Sequence, residues 1–337
     1  MHTGLVHEID FAAEGRQSGY MAIPYSIDRS PYYQIRIPYL RLKNGNGPSL
    51  LLMAGNHGDE YEGELQLTRL MRRLDISKIR GSVTIVPMVN VPAVMAARRC
   101  SPFDGGNMNR AFPGDPGGTP TARMAHFLET LLFANHDVIF DIHAGGTSMA
   151  HLPCLLIERQ ADPVRHARAL ELLRAISPSY AFIADNGPTA PTSMAAAARA
   201  GAIGLSGEFG GGATVTPESM AFTAQCIDRL LVALGITASP VFGTAASNDR
   251  RPLQLLSLCR HSQGVYATRR GWFEPAVDVG VTVAAGDVAG WYHDLERPEQ
   301  AEEVLHFAEA GIVISRRLHT DSQAGDCLIQ VAEPIDG

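Results

Sequence analysis

Short aliphatic runs alternate with segments of helical period along most of the chain, and this alternation restricts the fold more than any other feature. Residues 49–54 (SLLLMA) predict a buried strand, and the next segment carries Leu65, Leu67, Leu70, Met71 and Leu74 at helical spacing over 62–74. Residues 82–90 are again short, apolar and β-rich, so the order strand, helix, strand implies a parallel crossover. The pattern continues with helices at 121–134, 163–176, 192–200 and 217–235, and with strands at 137–143, 180–185 and 202–208. The expected fold class is α/β, a mostly parallel mixed sheet flanked by helices, with chemistry gathered beyond the carboxyl ends of the strands. Upstream, YYQIRIPYLRL, the Asn-Gly turn of KNGNGP and SLLLMAG predict a hairpin feeding the core.

After about residue 245 the texture changes to short strands dense in Val, Gly and aromatic residues. With 337 residues, more than one core usually holds, the expected division is a catalytic domain over 1–245 and a small β domain over 246–337. The cadence EP followed by VDVGVTVAAGD resembles the biotinyl/lipoyl hammerhead, but no lysine stands at the expected tip, so covalent carriage of a cofactor is not expected. A net charge of -7 arises from scattered acids, and Lys and Arg form no block among aromatics, which argues against a nucleic acid partner. Five cysteines, odd in number and far apart, predict neither a disulfide framework nor a thiolate zinc knuckle. The first residues lack the features of a signal peptide and no apolar run approaches membrane-spanning length, so a cytoplasmic protein with no membrane partner is expected.

The stretch GNHGDEYEGE at 55–64 ends the first core strand in a histidine and several acids. His57 and Glu60 are three apart, a spacing that turns both side chains toward one point where a helix begins. A second core strand, DVIFDIH, ends in His143 followed by glycines. Two parallel strands ending side by side would give a His, Glu, His set with one open position, as a catalytic zinc site needs. Asp141 shares a strand face with His143 and could receive its ring N–H or be buried against another donor. Asp59 could equally stabilise the turn or touch a substrate. The other histidines, His126, His136 and His151 among them, lack such a setting and read as surface or core residues.

Four motifs in order, GNHGDE around His57 and Glu60, NMNRAFPG at 107–114, DIH ending at His143, and GEFG at 207–210, resemble the succinylglutamate desuccinylase and aspartoacylase family of the zinc carboxypeptidase clan. The resemblance runs over about 45–240, and the β tail also fits. Within that family IPYS at 23–26, GNHGDEYEGE, SPFDGGNMNRAFPG at 101–114, the HAGG after the strand and GEFGGG at 207–212 together resemble the branch whose substrate is N-alpha-acetyl-L-2,4-diaminobutyrate. What the resemblance implies is a zinc-carboxypeptidase-like fold and Zn2+-dependent hydrolysis of an N-acyl amino acid. Its metal ligands would be His57, Glu60 and His143, its general base Glu208, and its substrate-carboxylate clamp Asn109 and Arg110. A second arginine that polarises the carbonyl would fall at Pro102 by aspartoacylase-like spacing; Arg98 or Arg99, three or four residues upstream, could serve through a shifted loop, with Arg99 preferred. A tyrosine from the β domain has no fixed counterpart; Tyr266 and Tyr292 are candidates. A cationic side chain on the substrate would need an acceptor, for which Glu62, Glu64, Asp104 and Asp115 lie near the motifs. The alternatives are another deacylase, for acetylaspartate or succinylglutamate, and a non-catalytic binding protein on the same fold. Homo-oligomerisation is left open.

Overall fold

The computed structural model describes residues 4–243 and 252–335, so the expected boundary near 245 lies outside the described residues. The chain begins with a long antiparallel pair, β1 (Gly15–Ile27) and β2 (Ser30–Asn44), followed by β3 (Ser49–Ala54), α1 (Tyr61–Arg73), β4 (Gly81–Val86), the short α2 (Val91–Met95), α3 (Pro120–Phe127) and β5 (Val138–His143). Next come β6 (Met149–His151), β7 (Cys154–Glu158), α4 (Pro163–Ile176), β8 (Tyr180–Ala184), α5 (Ser193–Arg199), β9 (Ile203–Glu208) and α6 (Pro217–Ala233). The remainder is β10 (Gln254–Ser257), β11 (Gly264–Tyr266), β12 (Gly271–Pro275), β13 (Thr282–Val283), β14 (Val288–His293), β15 (Glu303–His306), β16 (Gly311–Arg317), β17 (Asp321–Ser322) and β18 (Cys327–Ile335).

The main sheet runs in the order β1-β2-β4-β3-β5-β9-β7-β8-β10-β18-β16-β13, with β4, β3, β5 and β9 parallel neighbours at its centre. Period-2 alternation builds two apolar layers from single strands: Leu50 and Leu52 of β3 pack with α1 and α6, whereas Leu51 and Met53 face α3 and α5. Gly63 lets α1 lie flat on the sheet, because a Cβ there would come within 2.6 Å of Ala54 Cβ and 2.8 Å of Ile142 Cβ. That close approach carries the first turn of α1 to the ends of β3 and β5, where the polar residues gather.

The expected hairpin between 32–42 and 49–55 does not form: β2 pairs with β1 and β4, and β4 lies between β2 and β3. Both β3 and β4 are buried on both faces and take central, parallel places, leaving the half-exposed β2 toward the edge. The Asn-Gly segment crosses the start of β4 instead, and Gly47 sits where a Cβ would be 2.9 Å from Gly81 N. The apolar run at 82–90 ends as a strand at Val86, after which Asn90 caps α2 by accepting from Ala93 N.

The C-terminal segment contributes a separate antiparallel sheet, β15-β14-β12-β17, packed on Phe273, Tyr292 and Phe307. Its other strands join the main sheet: β10 runs parallel to β8, β18 pairs with β10, and β16 pairs with β6. Among the described residues no helix is long and apolar enough to cross a membrane.

Candidate active site

The turn after β3 is shaped by glycine. Gly55 has φ +71°, and a Cβ on Gly58 would fall 2.0 Å from the Ala93 carbonyl carbon, so only bare backbone passes beneath α2. This turn holds His57 above the sheet and leads to Glu60 at the N-cap of α1. β5 pairs in register with β3, Ala54 opposite Ile142, which brings His143 beside them. His57 Nδ1 lies 2.7 Å from Glu60 Oε1 and His143 Nδ1 lies 2.9 Å from Glu60 Oε2. All three residues are buried, and their potential ligand atoms fall within 4.8 Å of one another.

The far side of each imidazole is also occupied. His143 Nε2 is 2.8 Å from Asp141 Oδ2, and His57 Nε2 is 3.2 Å from Asn107 Oδ1. Asp141 Oδ2 receives Asn56 Nδ2 at 3.0 Å and Ser193 Oγ at 2.6 Å as well. A neutral ring that donates Nε2–H to these acceptors turns the Nδ1 lone pair toward the Glu60 oxygens, a contact that either a proton on Nδ1 or a metal cation between the groups would satisfy. A divalent metal fits this donor set: two neutral imidazoles, one carboxylate and room for a further ligand. The Arg99 guanidinium stands at its rim, with Nη1 3.3 Å from both Glu60 Oε1 and His57 Nδ1. Burial raises the pKa of Glu60, but bonds to His143 and His57 outweigh it and keep the carboxyl well below its ordinary range. Burial alone would lower the pKa of His143; Asp141 and Glu60 reverse this and raise it well above the usual value.

Asp141→Asn keeps the shape and removes the charge behind His143, so affinity for a divalent metal is expected to fall by roughly 10- to 100-fold. Competition with a chromophoric chelator measures this, and unchanged affinity would show that the contact does not tune the ligand.

Glu208 ends β9 directly opposite His143 in the parallel register. Its Oε2 is buried with no hydrogen-bond partner. Burial, followed by the Glu60 charge, pushes its pKa up. Asn109 and Arg110 lie in a helical turn at Met108–Arg110. Asn109 Oδ1 accepts from Ser193 N at 2.8 Å, while Arg110 bonds only the Asn109 carbonyl and has no carboxylate partner among the described residues. These side chains line one cavity of about 780 Å³ with His57, Glu60, His143 and both Arg98 and Arg99.

The structure places several residues differently from expectation. His136 is a core residue, whereas His151, read as surface or core, lines the cavity from β6. Neither β-domain tyrosine lines it: Tyr292 is buried with its hydroxyl donating to Arg269 O at 2.7 Å, and Tyr266 stacks on His261. Arg317, Cys327 and Gln330 of β16 and β18 form that wall instead. The pairing of His151 with Ser315, and of Ser315 with Gln330, sets one cross-strand row along it. Asn56, Asn107 and Ser193 were not singled out, although Asn56 and Asn107 lie within motifs already recognised. Ser193 comes from a helix start distant in sequence, which no local pattern connects to Asp141.

Residues 46–234 match the family model described as the succinylglutamate desuccinylase/aspartoacylase catalytic domain, and the chain belongs to this family. It is 36% identical over 328 residues to N-alpha-acetyl-L-2,4-diaminobutyric acid deacetylase of Halomonas elongata, covering 97% of this chain and 94% of that one. The crystal structure of succinylglutamate desuccinylase/aspartoacylase from Rhodobacter sphaeroides superposes with a TM-score of 0.90 at 33% identity, over 98% of this chain and 99% of the other. The product-bound ectoine utilization protein EutE (DoeB) of Ruegeria pomeroyi gives a TM-score of 0.90 at 29% identity, over 99% of this chain and 100% of the other.

Proposed function

We propose that the chain hydrolyses the amide of an N-alpha-acyl amino acid, with zinc held by His57, Glu60 and His143. The substrate favoured is N-alpha-acetyl-L-2,4-diaminobutyrate, giving acetate and L-2,4-diaminobutyrate. The observation that carries the reaction class is the buried His57–Glu60–His143 cluster with Glu208 beside it in register. The named substrate rests on the Halomonas elongata relative, which spans nearly the whole chain.

Zinc bound by these residues supplies a Lewis acid that acidifies water and polarises a carbonyl. The Glu208 carboxylate removes a proton from the attacking water and returns it to the departing amine nitrogen, a role for which its buried, unpartnered oxygen opposite His143 is suited. Arg99 places a guanidinium where negative charge grows on the carbonyl oxygen. Arg110, with no carboxylate partner among the described residues, clamps the substrate carboxylate as a two-pronged donor, and Asn109 adds its amide N–H.

A second reading, a deacylase for acetylaspartate or succinylglutamate, is favoured by the additional Arg98 and Arg317 on the cavity wall. Against it, Arg317 is committed to Asp326 at 3.0 Å. Release of acetate or succinate and free amine from the three substrates, with zinc-loaded and chelator-stripped protein, separates the readings. Zinc-dependent turnover of the diaminobutyrate substrate is the expected result. Turnover of an acidic substrate alone keeps the chemistry and removes the named substrate. No turnover of any of them removes the deacylase reading for these compounds.

A further inference from the structure

The favoured substrate brings a cation into a cavity lined by Arg98, Arg99, Arg110 and Arg317, and a buried ammonium requires a compensating negative charge. None of the four acids near the motifs meets that need. Glu62 and Glu64 are buried off the cavity, Asp104 receives Thr121 N and Oγ1 at 2.8 Å, and Asp115 binds Gly117 N at 2.8 Å. Three carboxylates do line the cavity: Asp59, Glu60 and Glu208. Both oxygens of Glu60 are taken up by the two histidines, and Glu208 handles the reaction's proton.

Asp59 is different. It is 5% exposed, and its Oδ2 receives two donors from one residue, Thr147 N at 2.8 Å and Thr147 Oγ1 at 2.6 Å. Oδ1 is buried with no partner. The carboxylate rests on the bare backbone of Gly146, where φ is +57° and a Cβ would fall 2.7 Å from Oδ2 and 3.1 Å from Oδ1. The glycine loop after β5 thus seats a charged group rigidly and leaves half its accepting capacity unused. A buried carboxylate oxygen without a donor is unfavourable until something supplies one. An ammonium, with three donors and a positive charge, supplies both the bond and the neutralisation.

We infer that Asp59, through Oδ1, receives the side-chain ammonium of the substrate and selects amino acids with a short cationic side chain. This rests on the substrate reading above. The discriminating measurement is the ratio of kcat/KM for N-alpha-acetyl-L-2,4-diaminobutyrate to that for N-acetyl-L-norvaline, its uncharged near-isostere, in wild type and Asp59→Asn. The ratio is expected to fall on the order of 100-fold in the variant, chiefly through KM for the cationic substrate. Asp59→Glu, which keeps the charge but displaces it, should recover part of the ratio. If Asp59→Asn does not fold, Asp59→Ser reads the same ratio in a smaller side chain. An unchanged ratio, whatever the absolute loss of rate, overturns the inference and makes Asp59 a turn residue. If wild type leaves the diaminobutyrate compound intact while cleaving acetylaspartate or succinylglutamate, the substrate reading fails first and the inference with it.

Discussion

Glu208→Gln is expected to lower the rate of amide hydrolysis by about a thousandfold while zinc content and thermal midpoint stay near wild-type values. The amide replaces a carboxylate of nearly the same shape, so packing at the end of β9 is retained. What disappears is the ability to take a proton from water and hand it to the leaving nitrogen. Single-turnover assays at saturating substrate, with zinc measured on the same samples, provide the check. A loss of less than tenfold would move the proton transfer to another group, and a loss of zinc in parallel would mean that Glu208 supports the metal residues instead.

Acidification from pH 7 to about 4 is expected to cost roughly 3 kcal/mol of folding stability through His136 alone. This histidine lies far from the cavity in a chain of buried contacts: Nδ1–H donates to Leu132 O at 2.6 Å, Nε2 accepts from Thr84 Oγ1 at 2.7 Å, and Thr84 Oγ1 accepts from Arg41 Nη1 at 3.1 Å. Burial holds its pKa down at about 4 against an ordinary 6.5. Above pH 6.5 the ring is neutral in both folded and unfolded chains and nothing is lost. Below it the unfolded chain binds a proton that the folded one refuses, so stability declines until about pH 4 and then levels for this group. Urea unfolding of wild type and His136→Gln across this range isolates the contribution, because carboxylates and His151 titrate in both proteins. Parallel stability curves for the two would defeat the assignment.

The central strands and long helices were legible because their apolar periods are dictated by burial on both faces, and β5, α4 and β9 fall within a residue or so of their expected limits. β1 and β7 were not legible. The first mixes Gly, Ser and Pro among its apolar residues, and the second is a five-residue strand running antiparallel to β9. The misplaced hairpin had a different origin: turn chemistry specifies a reversal of the chain but not whether another strand enters between the two arms. For the site, His57, Glu60, His143 and Glu208 stood out as candidates because His143 and Glu208 end core strands next to or near glycines, while His57 and Glu60 follow one within a glycine-bearing turn. His151 carried no such mark. Its place on the cavity wall follows from the pairing of β6 with β16, a contact between segments far apart in sequence. Asp59 was seen but could not be assigned, since its significance lies in the unused oxygen left by Thr147.

The β6–β16 pairing has a further consequence for how the molecule comes into being. The strands and helices that carry the His57–Glu60–His143 cluster are all made before residue 250, yet one wall of the cavity comes from β16 and β18. During synthesis the reactive groups can therefore assemble while the cavity is still open on one side. Long-range pairing of this kind is slow compared with local helix formation. Until β16 is made, β6 would present an unpaired strand edge beside the candidate site.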